Sequence, residues 1–236
     1  MHEEHGFSFI SHIPFLMELP NHLAMTILVS VILVLTTWVA RSQLLSVMAG
    51  GGGLVPESKM NYRNFFEIVA EGLYKLTESV IGHHDAPVYF PVIGSLFVFI
   101  FASNILGLIP GFRPGTDDLN TTLALGLFVF VYYNVVGFKA HGAAYLKHFM
   151  GPVLWLAPLI LIIEVASHLF RPISLALRLR GNIMGDHIVL GVFSSLAPYL
   201  LPVIFYGLGV FVAFLQAFVF CLMTMVYISL STSHDH

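Results

Sequence analysis

The chain has 236 residues, 57% of them hydrophobic and only 10% charged, with a mean hydropathy of +0.87. Charged residues make up about a quarter of an ordinary soluble domain, so water is not the main solvent of this chain. Its net charge of -3 includes no basic stretch, which leaves nucleic-acid binding without support. Long apolar runs alternate with short polar breaks, and because a lipid-embedded backbone must satisfy its own hydrogen bonds, the runs predict helices. The pattern of a membrane barrel, strands of about 10 residues with one polar face, is absent. The expected class is an all-α polytopic membrane protein.

Residues 1–22 are mixed in character and carry His2, Glu3, Glu4, His5, His12, Glu18 and His22. Without fixed ligand spacing, such a terminus reads as solvated rather than as a metal site. The opening HEEHGFSF lacks the basic start and short apolar core of a cleavable leader. A first span is predicted from Leu23 to Ala40, closed by Arg41, long enough with its flanks to cross about 30 Å of hydrocarbon. Gly50 to Gly53 and Pro56 mark a flexible connection. From Met60 to Gly82 the pattern changes. Phe65, Phe66, Ile68, Val69, Leu73, Leu76 and Val80 recur at helical spacing among Arg63, Glu67, Glu71, Lys75 and Glu78. That predicts an amphipathic helix on the membrane surface, with a soluble partner-binding helix as the alternative.

His83, His84, Asp85 and Pro87 break the chain before a second span, Val88 to Ile109. Its Ser95, Ser103 and Asn104 are candidates for lining a polar path, although such residues commonly satisfy neighbouring membrane helices. The loop PGFRPGTDD leads to a third span, Leu119 to Phe138. Asn120 opens an N-x-T triplet, but nothing else supports a secretory lumen. After a polar segment at 139–152 come two longer apolar stretches, Val153 to Leu196 and Pro198 to Leu230. Each exceeds the roughly 20 residues of a perpendicular crossing, which predicts a strongly tilted hairpin turning near Ala197 to Pro202. Pro158 and Pro172 are expected to kink its first arm. Cys221 reads as a small core or lipid-facing residue.

Basic residues set the expected orientation. Arg41, Lys59, Arg63, Lys75, Lys139 and Lys147 fall in the first and third connections, whereas the second pairs Arg113 with Asp117 and Asp118. The positive-inside tendency places the first and third connections and the C-terminus in the cytoplasm, with the N-terminus outside. Five spans satisfy that parity.

The charges of the first hairpin arm are the main functional signal. Glu164, Arg171, Arg178, Arg180, Asn182, Asp186 and His187 occur within a run that is otherwise apolar. An Arg near the bilayer centre costs from about 3 to well over 10 kcal/mol, so such residues face a partner or a wet cavity. At 100° per residue, Glu164, Arg171 and Arg178 share a slowly drifting face that Asn182 extends, while Arg180 and His187 point to roughly the opposite side. With 1.5 Å of rise per residue, Glu164 lies about 21 Å from Arg178 toward the cytoplasm and His187 about 13 Å toward the exterior. Two wet paths meeting at a fixed positive charge are implied. The alternative is that these residues pair with one another and hold a bundle together.

RPISLALRLRGNIMGDH (171–187) and LQAFVFCLMTMVYISL (215–230), with PVIGSLFVFIFASNILGLIPGF (91–112) and DLNTTLALGLFVF (118–130), resemble subunit a of the F-type ATP synthase over most of residues 60–231. The resemblance implies a stator subunit that carries two proton half-channels and couples transmembrane proton flow to rotor rotation and ATP synthesis. On matched positions, Arg178 is the essential arginine facing the carboxylates of the c-ring. Asn182 follows it by one turn, and Gln216 faces the arginine region from the last helix. Glu164 belongs to the cytoplasmic half-channel and His187 to the external one. Asp118, Asn120, Asn104, Arg180 and Asp186 are possible lining residues. The implied partners are the c-ring, the b subunits of the peripheral stalk, the rest of the F1Fo complex and the bilayer, and the expected location is a bacterial inner membrane. Neither a cofactor nor a metal is implied.

The chain departs from the family pattern at two positions. Where some relatives have a His or Glu seven residues before the matched glutamine, this chain has Gly209, leaving His187 to act alone or with Asp118, Asn120 or water. Arg180 stands where many relatives are apolar, and its partner is left open, with Asp186 or a tyrosine as candidates. The expected organisation is one membrane domain over 1–236, with 1–22 external, 60–82 the surface helix, and 153–230 the tilted hairpin carrying the ion path. No G-x-x-x-x-G-K-[ST] loop is present, so the chain is not expected to make or split ATP by itself. An ion-coupled secondary transporter with a buried Arg/Glu/His relay is the alternative function, although the internal repeat usual in that class is not seen. A purely structural assembly protein is a third.

Overall fold

The computed structural model describes residues 20–49, 62–109, 112, 114–142, 145, 157–196 and 201–232. Among these there is no strand, only six α-helices and one short 3-10 turn. They are α1 (Asn21–Ala49), α2 (Tyr62–Ile81), α3 (Ala86–Gly107), the turn Gly115–Asp117, α4 (Leu119–His141), α5 (Ala157–Leu196) and α6 (Leu201–Thr232). All except α2 are long and apolar enough to cross a membrane, which gives the five expected spans. The 40 residues of α5 and 32 of α6 rise by about 60 and 48 Å, well beyond the hydrocarbon thickness of about 30 Å. Such helices tilt or project beyond the lipid tails.

The core forms where α3 packs on α6, α4 on α5, and both α4 and α5 on α6. Ile93, Phe97 and Ile100 from α3 meet Val129 and Tyr133 from α4, Leu175 and Leu179 from α5, and Phe220, Met225 and Ile228 from α6. In lipid these contacts gain little from excluding water, so close packing must hold the helices together. Gly126 on α4 shows how close the packing is. A Cβ there would stand 2.6 Å from the Pro172 carbonyl oxygen of α5, so only hydrogen fits between the two backbones. α1 sits at the margin, touching the turn and α3.

α2 has the expected amphipathic character, but its apolar stripe is shared with protein. It packs on α3 and α6 through buried Leu73 and Thr77, with Val69, Leu76 and Val80 against the core. The short turn at Gly82 to Asp85 folds α2 back on α3 and brings this about. On its exposed side Lys75 Nζ lies 2.7 Å from Glu71, and this hydrogen bond holds the Glu71 carboxyl below its usual range.

The prolines differ from expectation. Pro158 stands in the first turn of α5, where a missing N–H has no helical partner to lose, so it kinks nothing. Pro202 likewise opens α6 rather than belonging to the turn, and residues 197–200 lie outside the described residues. Pro172 does lie inside α5 and deprives the His168 carbonyl of its helical donor. Pro91, not singled out from the sequence, lies inside α3.

Candidate functional site

Arg178 lies near the middle of α5 on an exposed face. It borders an open groove of about 470 Å³ between α5 and α6, shared with Gly181, Asn182, Gly185 and Asp186 and faced by Val212, Leu215, Gln216 and Val219. Gly181 and Gly185 keep the helix surface low beside the arginine, and a Cβ at either would meet nothing within 4 Å. Among the described residues no carboxylate forms an ion pair with Arg178.

Asn182, one turn along, donates from Nδ2 to Gln216 Oε1 at 2.5 Å. Gln216 is 3% exposed, so this bond bridges the two hairpin arms from a buried position. On its other side lies a small cavity of about 20 Å³, lined by Asn104, Leu108, Asn182, Ile183, Asp186, His187, Gly209, Val212, Ala213 and Gln216. The face carrying Asn182 and the face carrying His187 thus meet at one amide pair, closer than 100° per residue on a lone helix suggests. Gly209 borders this cavity, and a Cβ there would stand 2.6 Å from Leu108 Cδ2. In this chain, then, a leucine methyl from the end of α3 fills the space beside position 209.

Toward the other end of α5, Glu164 is not free. Arg171 Nη2 lies 3.6 Å from Glu164 Oε1, and the same guanidinium sits over the Tyr227 ring at 5.3 Å from its centroid. The pairing alternative therefore holds for Glu164 and Arg171, but not for Arg178. Next to this pair, His168 Nε2 donates to Asn134 Oδ1 at 2.9 Å, and the Tyr145 hydroxyl donates to the same oxygen at 3.2 Å. The buried His168 thereby ties α5 to α4.

The turn Gly115–Asp117 organises the opposite end. Arg180 Nε donates to the Asp117 carbonyl at 3.1 Å, a backbone partner where the sequence left the choice open with Asp186 or a tyrosine as candidates. Asp186 instead borders the groove and the cavity. A backbone acceptor wins because the turn packs directly on α5. Asp118 caps α4 by accepting from the Asn120 N–H at 2.8 Å, and its other oxygen lies 3.5 Å from His22 Nδ1. Neither Asp118 nor the exposed Asn120 lines the cavity beside His187, so the pairing weighed for them does not occur there. Buried Thr116 donates to Asn104 Oδ1 at 2.9 Å. Thr116, Leu108 and Tyr227 were not singled out from the sequence. Hydroxyl, methyl and ring contacts leave no spacing signal when they arise only from packing between helices.

The geometry combines a mid-helix guanidinium on an open groove, an amide bridge behind it and a small cavity beyond. A profile of the family described as ATP synthase A chain matches residues 22–229. The chain belongs to the ATP synthase A chain family. It is 48% identical over 192 residues to ATP synthase subunit a of Bdellovibrio bacteriovorus, covering 81% of this chain and 83% of that one. Identity to ATP synthase subunit a of Geobacter sulfurreducens is 44% over 214 residues, or 91% and 88% of the two chains. The protein of the same name from Geotalea daltonii is 46% identical over 202 residues, 85% and 87%. Among its described residues the chain is almost entirely helical, with five helices long and apolar enough to span a membrane.

Proposed function

We propose that this chain is the stationary proton-path subunit of the F-type ATP synthase, with Arg178 presented to the carboxylates of the rotating c-ring. One observation carries the reading: a permanently charged guanidinium in the middle of a membrane-length helix, exposed, and with no acidic partner among the described residues. Left against lipid it would cost at least about 3 kcal/mol, so an anionic or wet surface has to cover it. A ring of carboxyl-bearing hairpins has the right charge and shape for a groove kept shallow by Gly181 and Gly185.

The chemistry follows from the fixed charge. A guanidinium keeps its proton at any relevant pH, so a rotor carboxyl arriving at Arg178 is held as the anion. That anion cannot re-enter lipid until it takes a proton from one of two paths. A proton on one side cannot pass the cation directly, so it travels with the rotor. His187, beside the small cavity, belongs to the exterior path, where an imidazole can take a proton on one ring nitrogen and give one up from the other. Glu164, held by Arg171, belongs to the cytoplasmic path. Asn182 and Gln216 brace the arginine face, while Asp186 and Asn104 line the wet region. The driving force is about 2.3 kcal/mol per charge per 100 mV and adds over successive protons.

The same reading treats residues 1–236 as one membrane domain without nucleotide chemistry of its own. The N-terminus is outside and the C-terminus in the cytoplasm, with the c-ring and the peripheral-stalk b subunits as neighbours. The test is Arg178→Ala in the assembled complex. ATP-driven proton pumping into vesicles should vanish while the complex still assembles, and normal pumping by that variant overturns the reading.

A further inference from the structure

Pro172 leaves the His168 carbonyl without its helical donor, so α5 has a weak joint there, with Glu164 before it and Arg178 beyond it. Lipid supplies no replacement bond, and whatever stiffens the joint has to come from a neighbouring helix. α4 lies directly against it, where only hydrogen fits between Gly126 and the Pro172 carbonyl. The bond from α4 reaches the same residue whose carbonyl was left open. His168, 8% exposed, meets Asn134 Oδ1 through Nε2 at 2.9 Å. The amide cannot be turned round. Asn134 Nδ2 donates to the Phe130 carbonyl at 2.7 Å, and a flipped amide would set two oxygens against each other there. Oδ1 therefore faces His168 as an acceptor, which puts the imidazole proton on Nε2. The Tyr145 hydroxyl donates to the same oxygen at 3.2 Å, and Tyr145 is itself pressed on α4 at Gly137, where a Cβ would stand 2.5 Å from its ring.

Building on the stator function above, we propose that His168, Asn134 and Tyr145 form a strut that fixes the angle of α5 at Pro172. His168 is its positioning residue, a neutral Nε2–H donor that keeps Glu164 and Arg178 in register. Its surroundings would equally suit a proton relay. Glu164 and Arg171 lie four residues before it and three after, on the same side of α5, and the Tyr133 hydroxyl is 3.4 Å from both ring nitrogens. Tyr227 of α6 stacks near Tyr133 and under Arg171. A relay, however, takes a proton on one nitrogen and releases one from the other, and here Nε2 points at an amide oxygen that passes no proton on.

His168→Gln keeps an N–H as far out as Nε2, His168→Asn only as far as Nδ1, and His168→Leu none. ATP-driven proton pumping of the complex in vesicles should stay near wild type in His168→Gln, with an unchanged pH profile, and fall on the order of tenfold or more in His168→Asn and His168→Leu. Loss in all three, or a shifted profile in His168→Gln, marks a titrating imidazole and overturns the proposal, as does wild-type pumping by His168→Leu. Spin labels separate position from stability. Carried on Ile162→Cys and Met184→Cys, exposed on either side of Pro172 and about 33 Å apart along the axis, they should give a narrow distance distribution with His168 or His168→Gln and a broader or shifted one with His168→Leu. Equal distributions defeat the strut. Where a variant fails to assemble, a map of the unmodified complex decides, and His168 beyond hydrogen-bond distance of the Asn134 amide overturns the proposal. Normal pumping by Arg178→Ala defeats the stator function, whereas an inactive Arg178→Ala beside a fully active His168→Leu defeats the strut alone.

Discussion

At the scale of single residues, the two departures from the family pattern, Gly209 and Arg180, have different physical settings. Arg180 spends a donor on the Asp117 carbonyl and so anchors the C-terminal half of α5 to the turn. Gly209 is an accommodation between helices. Replacing it with histidine would press the new Cβ to 2.6 Å from Leu108 Cδ2, the far end of a flexible, part-exposed side chain that must turn aside while the rest of the imidazole is accommodated. Gly209→His is therefore expected to destabilise the chain by about 1–3 kcal/mol, seen as a lowered unfolding midpoint in detergent. Adding Leu108→Ala should recover most of that loss. An unchanged midpoint in the single variant would show that the leucine does not occupy the space. Arg178 and Arg171 make the same lesson sharper. They have the same side chain seven residues apart, yet one is paired with Glu164 and sits over a tyrosine ring while the other stands on an open groove.

At the scale of elements, the α4–α5 contact depends on how closely two backbones approach. Gly126 faces the Pro172 carbonyl, and Pro172 is where α5 lacks one backbone donor. A backbone oxygen cannot rotate out of the way, so Gly126→Ala should force the helices apart. We expect it to cost about 1–3 kcal/mol, more than Gly209→Ala, whose obstacle is a methyl group. Gly72→Ala on the exposed side of α2, where a Cβ meets nothing within 4 Å, should instead stabilise by up to about 1 kcal/mol through helix propensity. Thermal melts of the three variants give the ranking, and equal midpoints for Gly126→Ala and wild type would contradict the close approach. His168 acts on the same contact from within, joining α5 to Asn134 of α4 close to the Arg171–Glu164 pair.

At the scale of the whole molecule, the expected sidedness can be read by labelling. Lys75 and Lys139 are exposed in connections assigned to the cytoplasm, and Asn120 is exposed at the start of α4 on the other side. Cysteines at Lys75 and Lys139 should react with an impermeant thiol reagent in inverted vesicles, and one at Asn120 in intact cells, against a low background from buried Cys221. Labelling in the opposite sense would reverse the orientation and exchange the two proton paths. The helices themselves were legible in the chain, because lipid leaves only helices for long apolar runs and the run lengths fix the number of spans. The charged run at 164–187 was equally plain, since charge among apolar residues is costly enough to stand out by composition alone. Partner choice was not legible. Whether Glu164 meets Arg171 or Arg178, whether Arg180 finds a carboxylate or a carbonyl, and which group Asn104 pairs with depend on tilt and approach distance between elements apart in sequence. Differences of a few ångströms decide hydrogen bonds, and only the packed bundle sets them.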